Sequence, residues 1–292
     1  MTHAAPIETR QIETNGIHAN VAISGTGPAL VLLHGFPHTW RVWSKIIGPL
    51  AARYRVIAPD LRGFGATSRA PGGYDAATMA ADIAGILDAL GESTAAVVGI
   101  DAGTPVAALL ALRHPGRVRQ LVVMEGLLGT LPGAEDFLAG GPPWWFGFHA
   151  VQDLAETVLL GHEARYIEWF LSTGTRGRGV PPDIRDAFVD AYTGHEALRC
   201  AFSYYRALPT TGHQIARAAA TTRLTMPTLA IGAHPVGNAL ARQLRPLAEN
   251  LTAHVIPDCG HIITLDRPSQ LLELLEPFLA AAPAARGARA GS

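Results

Sequence analysis

The chain has 292 residues, of which 48% are hydrophobic and 16% charged, so it can bury a globular interior and is not intrinsically disordered. Its formal net charge is −1 and it contains no basic run, which argues against nucleic acid or an anionic membrane as a partner. No window approaches the roughly 18 apolar residues of a membrane span. The N-terminus lacks the apolar core of a signal peptide, so we expect a cytoplasmic protein. Cys200 and Cys259 have no metal-ligand or redox spacing, and we expect neither a disulfide, a metal nor a cofactor.

Short apolar runs bounded by turn residues recur along the chain. They are ALVLLHG from Ala29, YRVIAPD from Tyr54, AAVVGID from Ala95, RQLVVMEG from Arg119, PTLAIGA from Pro227 and AHVIPDCGH from Ala253. Because these runs are too short for helices and too continuously apolar for a half-exposed sheet, they predict buried parallel strands. Amphipathic stretches such as ATMAADIAGILDALG alternate with several of them. The alternation predicts an α/β fold with a doubly wound, mostly parallel sheet.

The stretch AAVVGIDAGT at residues 95–104 carries a signal of function. A β-branched run leads into a Gly-x-Asp-x-Gly turn and then an Ala- and Leu-rich segment, which is the strand–turn–helix context of a nucleophile elbow. The nucleophile position holds Asp101 instead of serine. An acylated aspartate would be an anhydride, whereas attack on an sp³ carbon bearing a leaving group gives an ordinary ester that water can cleave. Asp101 therefore predicts epoxide opening or displacement of halogen from carbon.

Two main-chain amides are predicted to form an oxyanion hole for the hydrolysis of that ester. The segment LLHGFPHTW, at the end of the strand that begins at Ala29, supplies the N–H of Phe36, and Ala102 directly follows the nucleophile. His34 and Trp40 in the same segment are expected to be structural supports.

Hydrolysis of the ester also needs a general base that activates water. A carboxylate that orients this base is expected between the nucleophile and the base in chain order. Its usual position follows the strand TLAIG, but residues 228–247 contain neither Asp nor Glu. We predict that Glu125, at the tip of the strand after the elbow helix, takes this role, with Asp258 and Asp266 as alternatives.

The middle of the chain has a different character. Strand–helix alternation stops near Leu127 and resumes at Met226, and between them lie aromatic clusters with helical periodicity and no convincing strand. We predict a core formed by residues 1–128 and 226–281, a helical cap at 129–225 and a disordered tail at 282–292.

The general base is predicted in the stretch PDCGHIITLDRP. Of the twelve histidines, His261 stands out because it lies just beyond the last predicted strand, where its loop can return over the carboxyl edge of the sheet.

Several motifs in the same order resemble the α/β-hydrolase-fold epoxide hydrolases over roughly residues 15–280. They are HGFPHTW, VIAPDLRGFGATS, GGYDAATMAADIAGILDALG, VVGIDAG, SYYRAL and IPDCGH. The resemblance implies that the aspartate opens the epoxide and that histidine-activated water then hydrolyses the ester to a vicinal diol. It also supports Glu125 as the acid, and it implies Tyr205 of SYYRAL as a proton donor to the epoxide oxygen, with Tyr204 beside it.

The second donor position, where a histidine often follows a tryptophan in the family, is occupied by Trp145 of the Trp144–Trp145 pair. An indole N–H can hydrogen-bond the epoxide oxygen but supplies a proton less readily than a tyrosine. The tandem tryptophan is similar to that of the epoxide hydrolases that tailor fluostatin- and kinamycin-type aromatic polyketides. It implies a bulky, flat aromatic or polyketide-type substrate, with contacts expected from Phe36, Trp144, Phe148 and Tyr204.

Two other functions are open on the sequence. A haloalkane or haloacid dehalogenase would use the same aspartate. Enzymes of these groups look to have, directly after the nucleophile, a Trp that holds the halide or an Arg that holds the substrate carboxylate, and Ala102 can do neither. A non-catalytic small-molecule-binding protein would be marked by loss of a catalytic residue, and none is lost. The expected partners are therefore a small-molecule epoxide substrate and water, and a homodimer is one open oligomeric state.

Overall fold

A computed structural model describes residues 6–281 and contains one eight-stranded sheet. The strands are β1 (Glu8–Thr14), β2 (Ile17–Ser24), β3 (Ala29–Leu33), β4 (Arg55–Pro59), β5 (Ala95–Ile100), β6 (Val118–Met124), β7 (Thr228–Gly232) and β8 (Leu251–Val255). The helices are α1 (Ser44–Ala51), α2 (Ala76–Ala89), α3 (Gly103–Arg113), α4 (Glu135–Leu138), α5 (Trp144–Ala150), α6 (Leu154–Leu159), α7 (Glu163–Gly174), α8 (Pro182–Ala191), α9 (His195–Arg206), α10 (Leu208–Thr221), α11 (Ala239–Leu244), α12 (Ile263–Asp266) and α13 (Pro268–Ala280), with a 3-10 helix at Trp40–Trp43.

The strands lie in the order β1-β2-β4-β3-β5-β6-β7-β8. β1 and β2 pair antiparallel with each other and β2 pairs antiparallel with β4, while every pair from β4 to β8 is parallel. The central register aligns Val31 with Val97, Gly99 with Val123, and Met124 with Ile231. The predicted fold class, α/β with a doubly wound and mostly parallel sheet, is confirmed. The carboxyl ends of β3, β5, β6 and β7 consequently meet at one edge.

The strands that the apolar runs predict differ from the observed sheet at its two sides. β1 and β2 were not predicted. β1 has the polar sequence ETRQIET and buries only Ile12 and Thr14, whereas β2 is buried at seven of its eight positions but has the mixed polar and apolar sequence IHANVAIS. β8 was predicted as buried, but its residues are half-buried or exposed because it forms the edge of the sheet. Both cysteines are free and buried.

Between β6 and β7 every described element is a helix, α4 to α10; residues 135–221 are called the helical segment below. The predicted boundaries of the core and cap, at 128/129 and 225/226, stay predictions. The predicted disordered tail lies outside the described residues. No helix within residues 6–281 has the length and apolar character needed to cross a membrane.

Candidate active site

Asp101 lies in a tight turn between β5 and α3. Its φ is 52°, a left-handed conformation that is uncommon for a residue with a side chain and that concentrates at functional sites. Its N–H donates to the carbonyl of Met124 at 3.0 Å, and its own carbonyl accepts from Thr104 at 3.0 Å. A Cβ on Gly35 would collide with the Asp101 carboxylate, which explains why this loop approaches so closely only with glycine. The turn is the strained strand-to-helix elbow that the sequence predicted.

The two oxygens of Asp101 have different partners. Oδ1 accepts the N–H of Phe36 at 3.0 Å and that of Ala102 at 2.5 Å, so the two amides predicted as an oxyanion hole converge on one atom. Oδ2 lies 2.9 Å from Nε2 of His261. Burial acts to raise the pKa of Asp101, but the hydrogen bond to His261, the charge of His261 and the Phe36 amide outweigh it and lower that pKa. The carboxylate is therefore held ionised.

His261 bridges Asp101 and Glu125. Its Nδ1 lies 3.1 Å from Oε2 of Glu125, and its Nε2 contacts Asp101. Burial acts to lower the pKa of His261, but hydrogen bonds and charges from both carboxylates raise it to about 10. The imidazole is thus a cation between two anions in this state.

Glu125 directly follows β6, is 1% exposed and has a φ of 42°. Its Oε1 accepts the N–H of Ala233 at 2.6 Å, and its Oε2 accepts that of Val236 at 3.4 Å. The loop after β7 contains no acid, so it contributes amides that hold the carboxylate of the neighbouring strand. This arrangement keeps one Glu125 oxygen aimed at His261.

The alternative acids have other partners. Asp266 bonds Arg178 at 2.5 and 2.6 Å and accepts the N–H of Gly260 at 2.6 Å. Asp258 pairs with Arg267 at 2.7 Å. The two aspartates therefore brace the loop that carries His261, whereas Glu125 contacts the imidazole itself.

His34 and Trp40 hold neighbouring loops, in agreement with their expected structural role. The buried imidazole of His34 accepts the N–H of Leu61 at 3.0 Å through Nε2, and its Nδ1 lies 2.8 Å from the carbonyl of Gly35. The N–H of Trp40 donates to Asp60 at 2.8 Å.

An aromatic wall lies beside Asp101. The ring of Phe36 lies 5.7 Å from that of Tyr205, and Tyr205 lies 5.4 Å from Tyr204. Burial, followed by the charge of Asp101, raises the pKa of both tyrosines well above its usual range. Both phenols are therefore protonated, and both are close enough to Asp101 for its negative charge to raise their pKa.

The structure does not bring every predicted aromatic residue to this wall. Trp145 packs against Phe170 with ring centroids 5.4 Å apart, and Phe170 in turn packs 5.3 Å from Phe36, so one ring separates the indole from Phe36. Trp144 is 55% exposed, and its ring neighbours among the described aromatic residues are Trp145, Phe148, Tyr166 and Trp169. Trp144 and Phe148 thus lie on the side of α5 away from Tyr205.

His149, which the sequence reading missed, lies on the inner side of α5. Its ring is 4.3 Å from Tyr205, 5.4 Å from Phe36 and stacked 4.1 Å from Phe202. Its Nε2 lies 2.6 Å from the hydroxyl of Tyr166, and its buried Nδ1 has no hydrogen-bond partner among the described residues. Burial lowers the pKa of His149 to about 3, so the ring is neutral. Its place three residues after Phe146, on one face of a short helix, was the available signal.

The site as a whole combines the Asp101 carboxylate, the His261 imidazole held between it and the Glu125 carboxylate, two amides on one oxygen of Asp101, and buried phenols. No group of three or more His, Cys, Asp or Glu side chains within residues 6–281 could hold a metal ion. The geometry is suited to two-step chemistry in which Oδ2 of Asp101 attacks carbon and the resulting ester is hydrolysed with charge developing on Oδ1.

Comparison with known proteins agrees with this geometry. A family model described as alpha/beta hydrolase fold matches residues 28–268. Epoxide hydrolase B of Mycobacterium tuberculosis is 31% identical, with 87% of this chain and 91% of the relative covered. A soluble epoxide hydrolase of a Corynebacterium species is 28% identical over 94% of this chain and 98% of the relative. The crystal structure of Cfl2 from Burkholderia cenocepacia is 29% identical and superposes with a TM-score of 0.85, covering 95% of this chain and 97% of Cfl2.

Proposed function

The chain belongs to the α/β-hydrolase fold family and is a hydrolase, and on this premise we propose that it is an epoxide hydrolase that forms an ester on Asp101. The observation that carries the proposal is the divided environment of the Asp101 carboxylate. Two amides hold Oδ1, while His261 contacts Oδ2. The names of the relatives support the same activity.

Ring opening is the first proposed step. Oδ2 of Asp101 attacks one epoxide carbon from the side opposite the carbon–oxygen bond, which breaks and leaves its electron pair on oxygen. Tyr205 donates its phenolic proton to that oxygen. The role of Trp145 as a second hydrogen-bond donor stays a prediction, because the ring of Phe170 separates the indole from Phe36. The negative charge of Asp101 raises the pKa of Tyr205, so the attack that neutralises Asp101 also makes the phenol a better acid.

Ester hydrolysis is the second proposed step. His261 takes a proton from water, whose oxygen attacks Cγ of Asp101 while the amides of Phe36 and Ala102 stabilise the charge on Oδ1. The bond between Cγ and Oδ2 then breaks, and the departing alkoxide takes the proton from His261. The proton left on the new carboxyl group passes to the Tyr205 phenolate, which becomes a phenol again. The products are the diol and the starting carboxylate.

The charge of Asp101 explains how a strongly basic imidazole becomes a usable base. In the free enzyme, Asp101 and Glu125 raise the pKa of His261 to about 10. Formation of the ester removes the charge of Asp101 and one of the two causes of that increase. His261 therefore loses its proton to solvent at a lower pH in the ester, when a neutral imidazole is needed, and takes a proton back from solvent once the Asp101 carboxylate is restored.

For the substrate, we propose a bulky aromatic or polyketide-type epoxide. Phe36 and Tyr204 would contact it beside the nucleophile, and the aromatic rings packed on Phe36 support a flat ligand. Contacts from Trp144 and Phe148 stay predictions. Both rings lie on the side of α5 away from Tyr205, where they pack against each other.

The proposal can be tested by trapping the ester in a His261→Gln variant, which lacks the base. The variant is mixed separately with trans-stilbene oxide and with 1-bromobutane, and its intact mass is measured. We expect an adduct equal to the full mass of the epoxide, located on Asp101 by peptide mapping. The control is His254→Gln, which removes an exposed histidine of β8 and should accumulate no adduct.

An adduct formed only from the haloalkane, with the mass of the alkyl group replacing a proton, would instead assign a dehalogenase. The absence of an adduct from either compound would contradict both enzymatic assignments and favour a binding protein.

A further inference from the structure

A cavity lies in the helical segment. It is formed by residues other than those assigned to the reaction steps. It has a volume of about 300 Å³ and is lined by Trp144, Leu159, His162, Arg165, Tyr166 and Trp169. Its walls are two indoles, a phenol, an imidazole and a leucine, together with the guanidinium of Arg165. None of these side chains contacts Asp101, Glu125 or His261 within the described part of the chain.

The indoles of this cavity are unusually open to solvent. Trp144 is 55% and Trp169 is 40% exposed, although their rings are the largest apolar surfaces that a protein has. Seven of the nine exposed large hydrophobic residues among those described lie at 138–169, on the same part of the chain. Exposed apolar surface concentrated around a cavity is characteristic of a binding site.

Arg165 supplies the charge of the cavity and is not neutralised. Five other arginines of the helical segment pair with carboxylates, namely Arg176, Arg178, Arg185, Arg199 and Arg206. No carboxylate or other hydrogen-bond acceptor among residues 6–281 contacts the guanidinium of Arg165.

The nearby glutamates are already engaged. Glu163 accepts the N–H of Gly194, Glu168 pairs with Arg185, and Glu156 pairs with Arg206. A negative charge in the cavity would therefore have to come from a ligand.

We infer that this cavity binds a flat aromatic anion, such as an aryl carboxylate, with its ring packed against the pair formed by Trp144 and Trp169, whose centroids lie 5.5 Å apart, and its carboxylate on Arg165. Stacking on indole faces accounts for the ring, and the planar guanidinium can donate two parallel hydrogen bonds to a carboxylate. This inference does not depend on the proposed function, because it uses no residue of the reaction steps.

The cavity also touches the active site through two side chains. Tyr166 lines the cavity and hydrogen-bonds His149 at 2.6 Å, and the ring of His149 lies 4.3 Å from that of Tyr205. A ligand that moves Tyr166 would thus act on the wall that holds the proposed proton donor.

The inference is tested by isothermal titration calorimetry with 2-naphthoate and its neutral analogue 2-naphthamide. We expect one molecule of 2-naphthoate per chain, and about tenfold weaker binding to Arg165→Gln, from the loss of one partly exposed charge-assisted contact. 2-Naphthamide should bind the wild type and Arg165→Gln equally. The matched control is Arg217→Gln, an exposed and unpaired arginine of α10, which should bind 2-naphthoate like the wild type.

An Asp101→Asn variant separates this cavity from the catalytic cleft. If 2-naphthoate occupies the cavity beside Arg165, its affinity for Asp101→Asn equals that for the wild type. Tighter binding to Asp101→Asn would locate the anion beside the nucleophile, where the removed charge had repelled it, and would overturn the inference. Absence of binding at millimolar 2-naphthoate, or equal binding to Arg165→Gln and the wild type, would overturn it as well.

Discussion

At the scale of single residues, the site depends on one imidazole shared by two carboxylates. Asp101 and Glu125 lie 2.9 and 3.1 Å from the two nitrogens of His261. Glu125 is fully engaged by the backbone amides of the loop after β7, whereas Asp101 is the carboxylate that the proposed reaction neutralises. In the proposed reaction each carboxylate therefore affects the pKa of His261 at a different stage, Glu125 throughout and Asp101 only before the ester forms.

The raised pKa of His261 predicts a pH dependence of stability. Its pKa is about 10 in the folded protein and roughly 6.5 in an unfolded chain. A group with a raised pKa stabilises the fold fully below the unfolded value, and this contribution is lost as the pH rises through the folded value. The urea midpoint of the wild type should thus fall relative to that of His261→Gln between pH 6.5 and 10. A difference that is constant across this range would contradict the raised pKa.

Replacing Glu125 by glutamine should slow ester hydrolysis. The amide oxygen can still accept the N–H of Ala233, but the charge that orients His261 and raises its pKa is lost. We expect kcat to fall by roughly two to four orders of magnitude, by analogy with removal of the orienting acid in other triads. Single-turnover kinetics should show ester accumulation, with the acid limb of the pH profile moved to lower pH.

Glu163→Gln is the matched control for Glu125→Gln. It changes a buried glutamate that also accepts a backbone N–H but does not contact His261. Unchanged ester hydrolysis in Glu125→Gln, or an equal loss in Glu163→Gln, would argue against a positioning role for Glu125.

At the scale of elements, the elbow depends on how closely β5 and α3 approach the end of β3. A Cβ on Gly103 would collide with the backbone carbonyl of Leu33 and lie 2.8 Å from that of His34. α3 is buried along its whole length and packs against β5 and β6, so it cannot move away to relieve the clash. The position of the Ala102 amide under Asp101 follows from this packing.

Gly103→Ala should therefore destabilise the protein by about 1–3 kcal/mol, the usual cost of forcing extra volume into a packed core. The matched control is Gly147→Ala in α5, where an added Cβ meets nothing within 4 Å and the better helix former should stabilise slightly. The urea midpoints of both variants are compared with the wild type. Equal midpoints for the two variants would show that the close approach at Gly103 is not needed.

At the scale of the whole molecule, the end of α7 is tied to the loop that carries His261. The N–H of Ile262 donates to the carbonyl of Gly174 at 2.8 Å. Arg178 bonds the buried carboxylate of Asp266, which in turn accepts the N–H of Gly260 next to His261. The helical segment therefore contributes to holding the base as well as to the aromatic wall.

Arg178→Gln should loosen this junction, because it leaves the Asp266 carboxylate buried without its main cation. We expect a lower melting temperature together with a reduced rate of ester hydrolysis. Arg185→Gln is the control, since its pairs with Glu168 and Asp186 are exposed and should matter little. Melting temperatures that fall equally in the two variants would mean that the junction adds nothing beyond a surface ion pair.

Features encoded in short stretches were readable from the amino-acid sequence. The apolar runs predicted six strands of the parallel part of the sheet. Five of them, β3 to β7, are buried almost throughout, and continuous burial leaves a continuous apolar pattern, whereas β8 was located but its burial was predicted wrongly. The turn at Asp101 was recognisable because Gly99 and Gly103 flank it within one local motif. β1 was missed, since five of its seven residues are exposed and its polar sequence carries little signal above that of a loop.

Contacts between distant residues required the tertiary structure. The sequence offered three acids for His261, and only the pairing of β6 with β7 turns Glu125, 136 residues away, toward the imidazole. Similarly, the sequence could not say which face of α5 points inward, and the fold directs His149 to Tyr205 and Trp144 to solvent. Local sequence therefore determined the turn at Asp101 and the chemistry that a carboxylate allows there. Long-range packing decided which residues contact Asp101, because the order of residues along the chain does not give the distances between separate elements.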